Sequence, residues 1–243
     1  MTGVASSPDG NGYTLVDAVG AISVHGDAGF FGSANSLHLD QPIVHIVSTP
    51  DGGGYWLVAG DGGVFAFGDA RFFGSMGGRV LNSPVVDLAA TPDGGGYWLV
   101  AGDGGVFAFG DARFFGSMGG RPLNAPIVGI TGAPGGSGYR LVASDGGIFA
   151  FGAAPFFGSM GGRPLNAPIV GMAASVSGAG YWLVASDGGI FAYGDGGFHG
   201  STGNLVLTRP IVGIAADDAT GGYWLAAGDG GVFAFDAPFL GAD

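Results

Sequence analysis

The sequence repeats itself with a period of 42 residues. A Gly-Tyr pair recurs six times at a constant phase, with its tyrosine at Tyr13, Tyr55, Tyr97, Tyr139, Tyr181 and Tyr223. Residues 49–79 are identical to residues 91–121, which indicates duplication of one unit. A fixed period of this length is typical of solenoids and propellers, in which each unit buries its apolar surface against its neighbours. A function specific to one unit must therefore lie where the copies differ.

Each unit carries the pattern of short β-strands separated by turns. In the second unit, Pro50 and Gly52 lie in one turn, and Asp61 and Gly62 form the Asp-Gly pair of a tight hairpin. Four strands are predicted there, at residues 43–48, 54–59, 64–67 and 71–73. Residues 74–84 form the longest loop of the unit, called here the crossing loop, which leads to the next unit. No helix is needed to account for the pattern.

Both faces of the predicted strands are apolar, so each unit needs a neighbour on both sides. In the second strand, Tyr55 and Leu57 face one way while Trp56 and Val58 face the other. A linear solenoid would need polar end units, and neither end shows one. We therefore predict an all-β fold, a six-bladed β-propeller with four antiparallel strands per blade. The chain is expected to be a single domain, 1–243, with blades 1–42, 43–84, 85–126, 127–168, 169–210 and 211–243.

Two ways of closing the ring stay open at this point. In the simpler one, the chain starts on the inner strand of the first blade and stops on an outer strand of the last, so that closure is by packing. In the other, residues 2–7 form the outermost strand of the last blade.

The repeat unit resembles known propeller repeats. The segments Pro-Ile-Val-Gly-Ile at 126–130 and Gly-Tyr-Trp-Leu-Val-Ala-Ser-Asp-Gly-Gly at 180–189, with their copies, are similar to NHL- and WD-type repeats. They look more like the Gly-Tyr-Trp-Leu-Val-Ala-Ser-Asp-Gly-Gly repeats appended to secreted bacterial proteins, often beside cell-wall or hydrolase domains. The Gly-His and Trp-Asp dipeptides of the WD type are missing. The resemblance implies a propeller and a secreted or extracellular location, and it brings no catalytic signature.

Composition excludes several classes of function. The seven basic residues are all arginine and the net charge is −12, so counterion release would not favour binding to nucleic acid. Apolar runs are interrupted too often for insertion in a membrane. No cysteine is present, which excludes disulfides and Cys-ligated zinc. The first residues carry no secretion signal, so an exported protein would have lost it before this point.

The crossing loops contain the leading candidates for ligand binding. Three arginines and three asparagines recur there at equivalent positions: Arg79, Asn82, Arg121, Asn124, Arg163 and Asn166. We expect them to form an arc on one face, suited to the hydroxyl or carboxylate groups of a glycan. The alternative is that duplication copied a neutral loop.

Other candidates are weaker. His45 and Asp87 occupy the same inner-strand position in adjacent units, where the other copies have glycine, so both are expected to face a central channel. The alternative is that they are two solvated polar residues. Arg140 replaces the tryptophan found at Trp56 and Trp98, either as a buried cation over an aromatic ring or as an exposed contact residue.

The remaining side chains favour structural roles. The tryptophans could stack on sugars, but packing between blades is the preferred interpretation. The hairpin aspartates, such as Asp61, lack the further oxygen ligands that calcium requires, so we assign them to turn capping. No catalytic residue, metal ligand or cofactor is predicted.

The sequence therefore favours a non-catalytic, multivalent binding module for an extracellular or cell-wall polysaccharide. The alternative is a structural or protein-interaction module of a larger secreted protein, with a protein partner; a hydrolase or lyase is a third possibility. We expect a monomer that binds no nucleic acid and does not insert in a membrane.

Overall fold

A computed structural model describes residues 1–243 and shows an all-β chain of six three-stranded antiparallel sheets, one for each repeat. Within every sheet the three strands follow chain order. The first strands are Gly3–Ser6 (β1), Ile43–Ser48 (β4), Val85–Ala90 (β7), Ile127–Gly132 (β10), Ile169–Ala174 (β13) and Ile211–Ala216 (β16). The second strands are Gly12–Val16 (β2), Gly54–Ala59 (β5), Gly96–Ala101 (β8), Gly138–Ala143 (β11), Gly180–Ala185 (β14) and Tyr223–Ala227 (β17). The third strands are Ile22–Gly26 (β3), Val64–Gly68 (β6), Val106–Gly110 (β9), Ile148–Gly152 (β12), Ile190–Gly194 (β15) and Val232–Phe235 (β18).

The second strand forms the core of each unit. Every residue of β5 is buried, whereas β6 is buried only at its first residue. The two strands are joined by the predicted hairpin, in which Asp61 Oδ1 accepts a hydrogen bond from the Gly63 N–H at 2.9 Å. Gly62 has φ of 79°, a conformation in which glycine avoids the steric cost of a side chain. The turn-capping role of Asp61 is confirmed, and the remaining non-strand structure includes one 3-10 turn, Pro134–Gly136.

The predicted fourth strand is wrong. Residues 71–73 pair with no strand, so each sheet has three strands. The Phe73 N–H instead donates to the hydroxyl of Tyr97 in the next unit at 3.1 Å, and that hydroxyl donates to the Gly74 carbonyl at 2.6 Å. Because a side chain satisfies these backbone groups, the segment needs no ladder with β6.

Contacts between first strands connect the six sheets in a cycle. Each first strand contacts the first strands of the preceding and following sheets, and β16 contacts β1. The tyrosine bond described for Tyr97 recurs in all units, including Tyr13, whose hydroxyl donates to the Gly241 carbonyl at 2.5 Å. The first and last units therefore meet through the same contact as any other pair.

The tryptophans pack between units. Trp98, which is 0% exposed, lies 5.4 Å from the ring of Tyr139 in the next unit, and Trp224 lies 5.3 Å from the ring of Tyr13. The indole N–H of Trp98 donates to the Arg113 carbonyl at 2.8 Å. Packing, not sugar stacking, is thus the role of these side chains.

The N-terminal strand belongs to the first sheet. Gly3–Ser6 pairs antiparallel with β2, as the simpler scheme expects, and is not an outermost strand of the last unit. The last unit is completed by residues after β18, and Asp243 Oδ1 lies 3.3 Å from His25 Nε2 of the first unit. None of the helical segments is long and apolar enough to cross a membrane.

Candidate functional site

The crossing loops are anchored to the hairpin between the second and third strands. The Met76 N–H donates to the Gly62 carbonyl at 2.9 Å, and the Val85 N–H donates to the Gly60 carbonyl at 2.9 Å. Between these anchors the Arg79 N–H donates to the Met76 carbonyl at 3.0 Å. The same bonds position Arg121 and Arg163 in the next two units. The three arginines therefore occupy equivalent places in three consecutive loops.

The arginine and asparagine side chains of these loops form no hydrogen bond or ion pair within the protein. Arg79, Arg121 and Arg163 are exposed, and none of them makes a side-chain hydrogen bond or an ion pair. The exposed amides recur beside them with no side-chain hydrogen bond, at Asn82, Asn124 and Asn166. The four ion pairs of the chain all join a histidine to an aspartate. The guanidinium groups and amides are thus available to a ligand.

Neighbouring loops form a shared groove. A groove of about 450 Å³ is lined by Asn82 from one loop, by Arg121 and Asn124 from the next, and by Asp103 from the hairpin between them. A second groove of about 340 Å³ is also lined by Asn82 and Asp103. The structure thus brings together predicted residues from two consecutive units on one surface.

Arg140 is not part of this surface. It is 0% exposed, and its guanidinium carbon lies 5.4 Å from the ring centre of Phe157 and 5.3 Å from that of Tyr181. Its Nε donates to the Pro155 carbonyl at 2.7 Å, as the tryptophan N–H does in other units. Burial lowers the pKa of this guanidinium. Of the two interpretations of Arg140, the structure supports the buried cation, which removes this residue from the surface candidates.

His45 and Asp87 meet in a central cavity of about 480 Å³. The cavity is lined mainly by residues of β4, β7, β10, β13 and β16, together with Thr2 and residues of the loops that follow the first strands. His45 Nε2 lies 3.3 Å from Asp87 Oδ1. A register shift between Ile43 and His45 in the pairing of β4 with β5 places a bulge at this position, and bulges commonly redirect side chains. The expected proximity of the two residues is therefore present.

The carboxylate of Asp87 is already used within the protein. Oδ1 accepts from the Leu88 N–H at 2.7 Å and Oδ2 accepts from the Ile130 N–H at 2.9 Å, so the side chain connects β7 to β10. Burial raises the pKa of Asp87, and the nearby His45 and the two backbone bonds oppose this shift. Because each carboxylate oxygen of Asp87 accepts a backbone hydrogen bond, the pair favours a structural role over acid–base chemistry.

One set of surface residues was missed by the sequence analysis. Each unit exposes a phenylalanine at an equivalent position, which was assigned to the predicted fourth strand: Phe30, Phe72, Phe114, Phe156, Phe198 and Phe239. Their 42-residue spacing, shortened by one at Phe239, was a visible signal. Phe114 lines the groove of about 340 Å³ together with Asn82 and Asp103.

No group of three or more histidine, aspartate, glutamate or cysteine side chains converges in an arrangement that could hold a metal ion. Comparison of the chain with protein-family models and with curated proteins found no match.

Proposed function

We propose that the six sheets are the blades of a closed six-bladed β-propeller. The cyclic contacts of the first strands and the tyrosine bond between Tyr13 and Gly241 support this arrangement. In a closed ring the junction between the ends is equivalent to the other five. A circular permutant that begins at Val85 and joins Asp243 to Met1 by a short linker should then unfold at nearly the same temperature as the parent. Loss of folding in the permutant would favour an open array.

We further propose that the protein is a non-catalytic, multivalent binding module for extracellular or cell-surface carbohydrate. The observation that carries this proposal is the set of unpaired groups in consecutive loops, of which Arg121, Asn82 and Asn124 share one groove. Arginine and asparagine supply several hydrogen-bond donors in fixed geometry, as recognition of vicinal hydroxyl groups requires. Equivalent weak sites gain avidity on a ligand that itself repeats.

A glycan array probed with the isolated protein tests this function. Binding of polysaccharide should weaken modestly when Arg121 alone is replaced by alanine and should be lost when Arg79, Arg121 and Arg163 are all replaced. The matched control is Arg113→Ala, which removes an exposed arginine outside the crossing loops. Equal binding by the triple variant and the parent would reject the loops as the site and favour a protein-interaction module.

A further inference from the structure

The exposed phenylalanines offer an apolar surface beside the crossing loops. Phe114 is 61% exposed, although burial of such a side chain is favourable. Its position next to the crossing-loop groove is fixed by the chain, because the neighbouring Phe115 N–H donates to the hydroxyl of Tyr139 at 3.2 Å. An exposed ring on a backbone anchored in this way presents a flat apolar surface to solvent.

Side chains with free hydrogen-bonding atoms line the grooves beside this ring. Asp103 uses Oδ1 to accept from the Gly105 N–H at 2.9 Å, and its Oδ2 has no hydrogen bond. Asn82 makes no side-chain hydrogen bond, and it lines the same groove as Phe114 and Asp103. Arg121 lies in the adjoining groove, which shares Asn82 and Asp103. An apolar platform is thus combined with an acceptor, an amide and a guanidinium.

We propose that this composite groove binds a neutral pyranose of a polysaccharide, with the apolar face of the sugar on Phe114 and its hydroxyl groups on Asn82, Asp103 and Arg121. The proposal rests on the proposed function and narrows it to uncharged ligands. The carboxylate of Asp103 in the groove and the net charge of −12 would both oppose a polyanion. An unoccupied carboxylate oxygen is, in contrast, a good acceptor for a sugar hydroxyl.

The residue set recurs in adjacent units. Between the third and fourth units the equivalent residues are identical in type: Asn124, Asp145, Phe156 and Arg163. Between the first and second units they are Asp40, Asp61, Phe72 and Arg79. The crossing loops of the first and fifth units have Leu37 and Leu205 in place of the arginine. Three adjacent grooves are therefore expected to bind, and the other units supply natural controls.

The test compares two phenylalanine variants of the full chain. In the first, Phe72, Phe114 and Phe156 are replaced by alanine; in the control, the equally exposed Phe30, Phe198 and Phe239 are replaced. Affinity electrophoresis and calorimetry would use galactomannan and soluble β-glucan as neutral probes and polygalacturonate as the polyanion. We expect the first variant to lose about tenfold or more in affinity for a neutral polymer, because three linked sites weaken together. The control variant should bind as the parent does.

The outcomes separate this proposal from the one it rests on. Loss of binding in the triple arginine variant but not in the Phe72, Phe114 and Phe156 variant would retain the crossing loops and overturn sugar stacking. Binding of polygalacturonate alone, or of no neutral polymer, would overturn the neutral pyranose. An equal loss in both phenylalanine variants would show that the rings contribute to binding independently of the grooves. That result would also overturn the proposal. Unchanged melting temperatures would show that each variant is folded.

Discussion

The junctions between units and the crossing loops use their side chains in opposite ways. At the junctions, Tyr97 and Trp98 are 0% exposed and each makes hydrogen bonds to the backbone. In the crossing loops, Arg79 and Asn82 are exposed and their side chains contact no protein partner by hydrogen bond or ion pair. Both regions come from the same duplicated unit, yet the junction side chains are buried and hydrogen-bonded whereas the loop arginines and asparagines are exposed and unpaired. Identity between repeats therefore says little about the role of a residue, whereas the presence or absence of internal partners says much.

The largest expected effect is at a junction. Trp98→Ala should lower the free energy of unfolding by about 3–5 kcal/mol, because it removes a fully buried indole and leaves a cavity beside Tyr139. The matched control is Thr14→Ala at the equivalent position of the first unit, where the change in volume is small. Urea unfolding of the two variants measures the difference. Similar, small losses in both would contradict the account of the junctions.

The junctions also show how far sequence could predict the fold. The first two strands of the second unit were predicted at their observed bounds, because apolar runs and turn residues define them locally. The fourth strand was wrongly predicted, because the hydroxyl of Tyr97, which satisfies its backbone, lies 24 residues further along the chain. A local pattern cannot register such a bond.

The site could be predicted only in part. Repeat symmetry was enough to place His45 beside Asp87 and to align the loop arginines. It could not decide that Arg140 is buried, since this depends on packing against Phe157 and Tyr181 of other segments. Phe114 was missed because its position was predicted only as part of a fourth strand and was not considered as a ligand contact.

A second change at a junction should stabilise the protein. Arg140→Trp restores the side chain found at Trp98, in an environment that has the same aromatic neighbours. The guanidinium is buried and its Nη1 has no hydrogen-bond partner. We expect the free energy of unfolding to rise by about 1–2 kcal/mol, since a well-packed apolar side chain often stabilises a protein more than a buried charge does. Thermal unfolding measures it, and a lower melting temperature would show that the cation–aromatic contact is worth more than the indole.

The stability that Asp87 contributes in the central cavity should depend on pH, unlike that contributed by the junctions or the crossing loops. The pKa of Asp87 is raised by burial above its ordinary value of 3.8, so the folded state binds the proton more tightly than the unfolded chain. Its contribution to stability is then present below pH 3.8 and is lost as the pH rises through the raised pKa. Relative to Asp87→Gly, the parent should gain stability as the pH falls through this window. Urea unfolding across pH 3 to 7 checks the sign, and the opposite trend would mean that hydrogen bonds outweigh burial.

The smallest effect on stability is expected in the crossing loops. Each replacement of a loop arginine by alanine, at Arg79, Arg121 or Arg163, should change the free energy of unfolding by about 0.5 kcal/mol or less. Exposed side chains without partners contribute little to stability. Calorimetric unfolding of the triple variant beside the parent measures this. A large loss would mean that the loops hold the fold together and would remove the contrast with the junctions.

The most direct test of the account is to locate a bound oligosaccharide by NMR. A neutral oligosaccharide, cut from the polymer that binds, would be titrated into the labelled protein while backbone amide shifts are followed. The account predicts shifts in the crossing loops, at residues 74–84, 116–126 and 158–168, and at the adjacent hairpin of Asp103, with the first strands unaffected. Shifts confined to the strands that carry His45 and Asp87 would place the ligand in the central cavity and would contradict it.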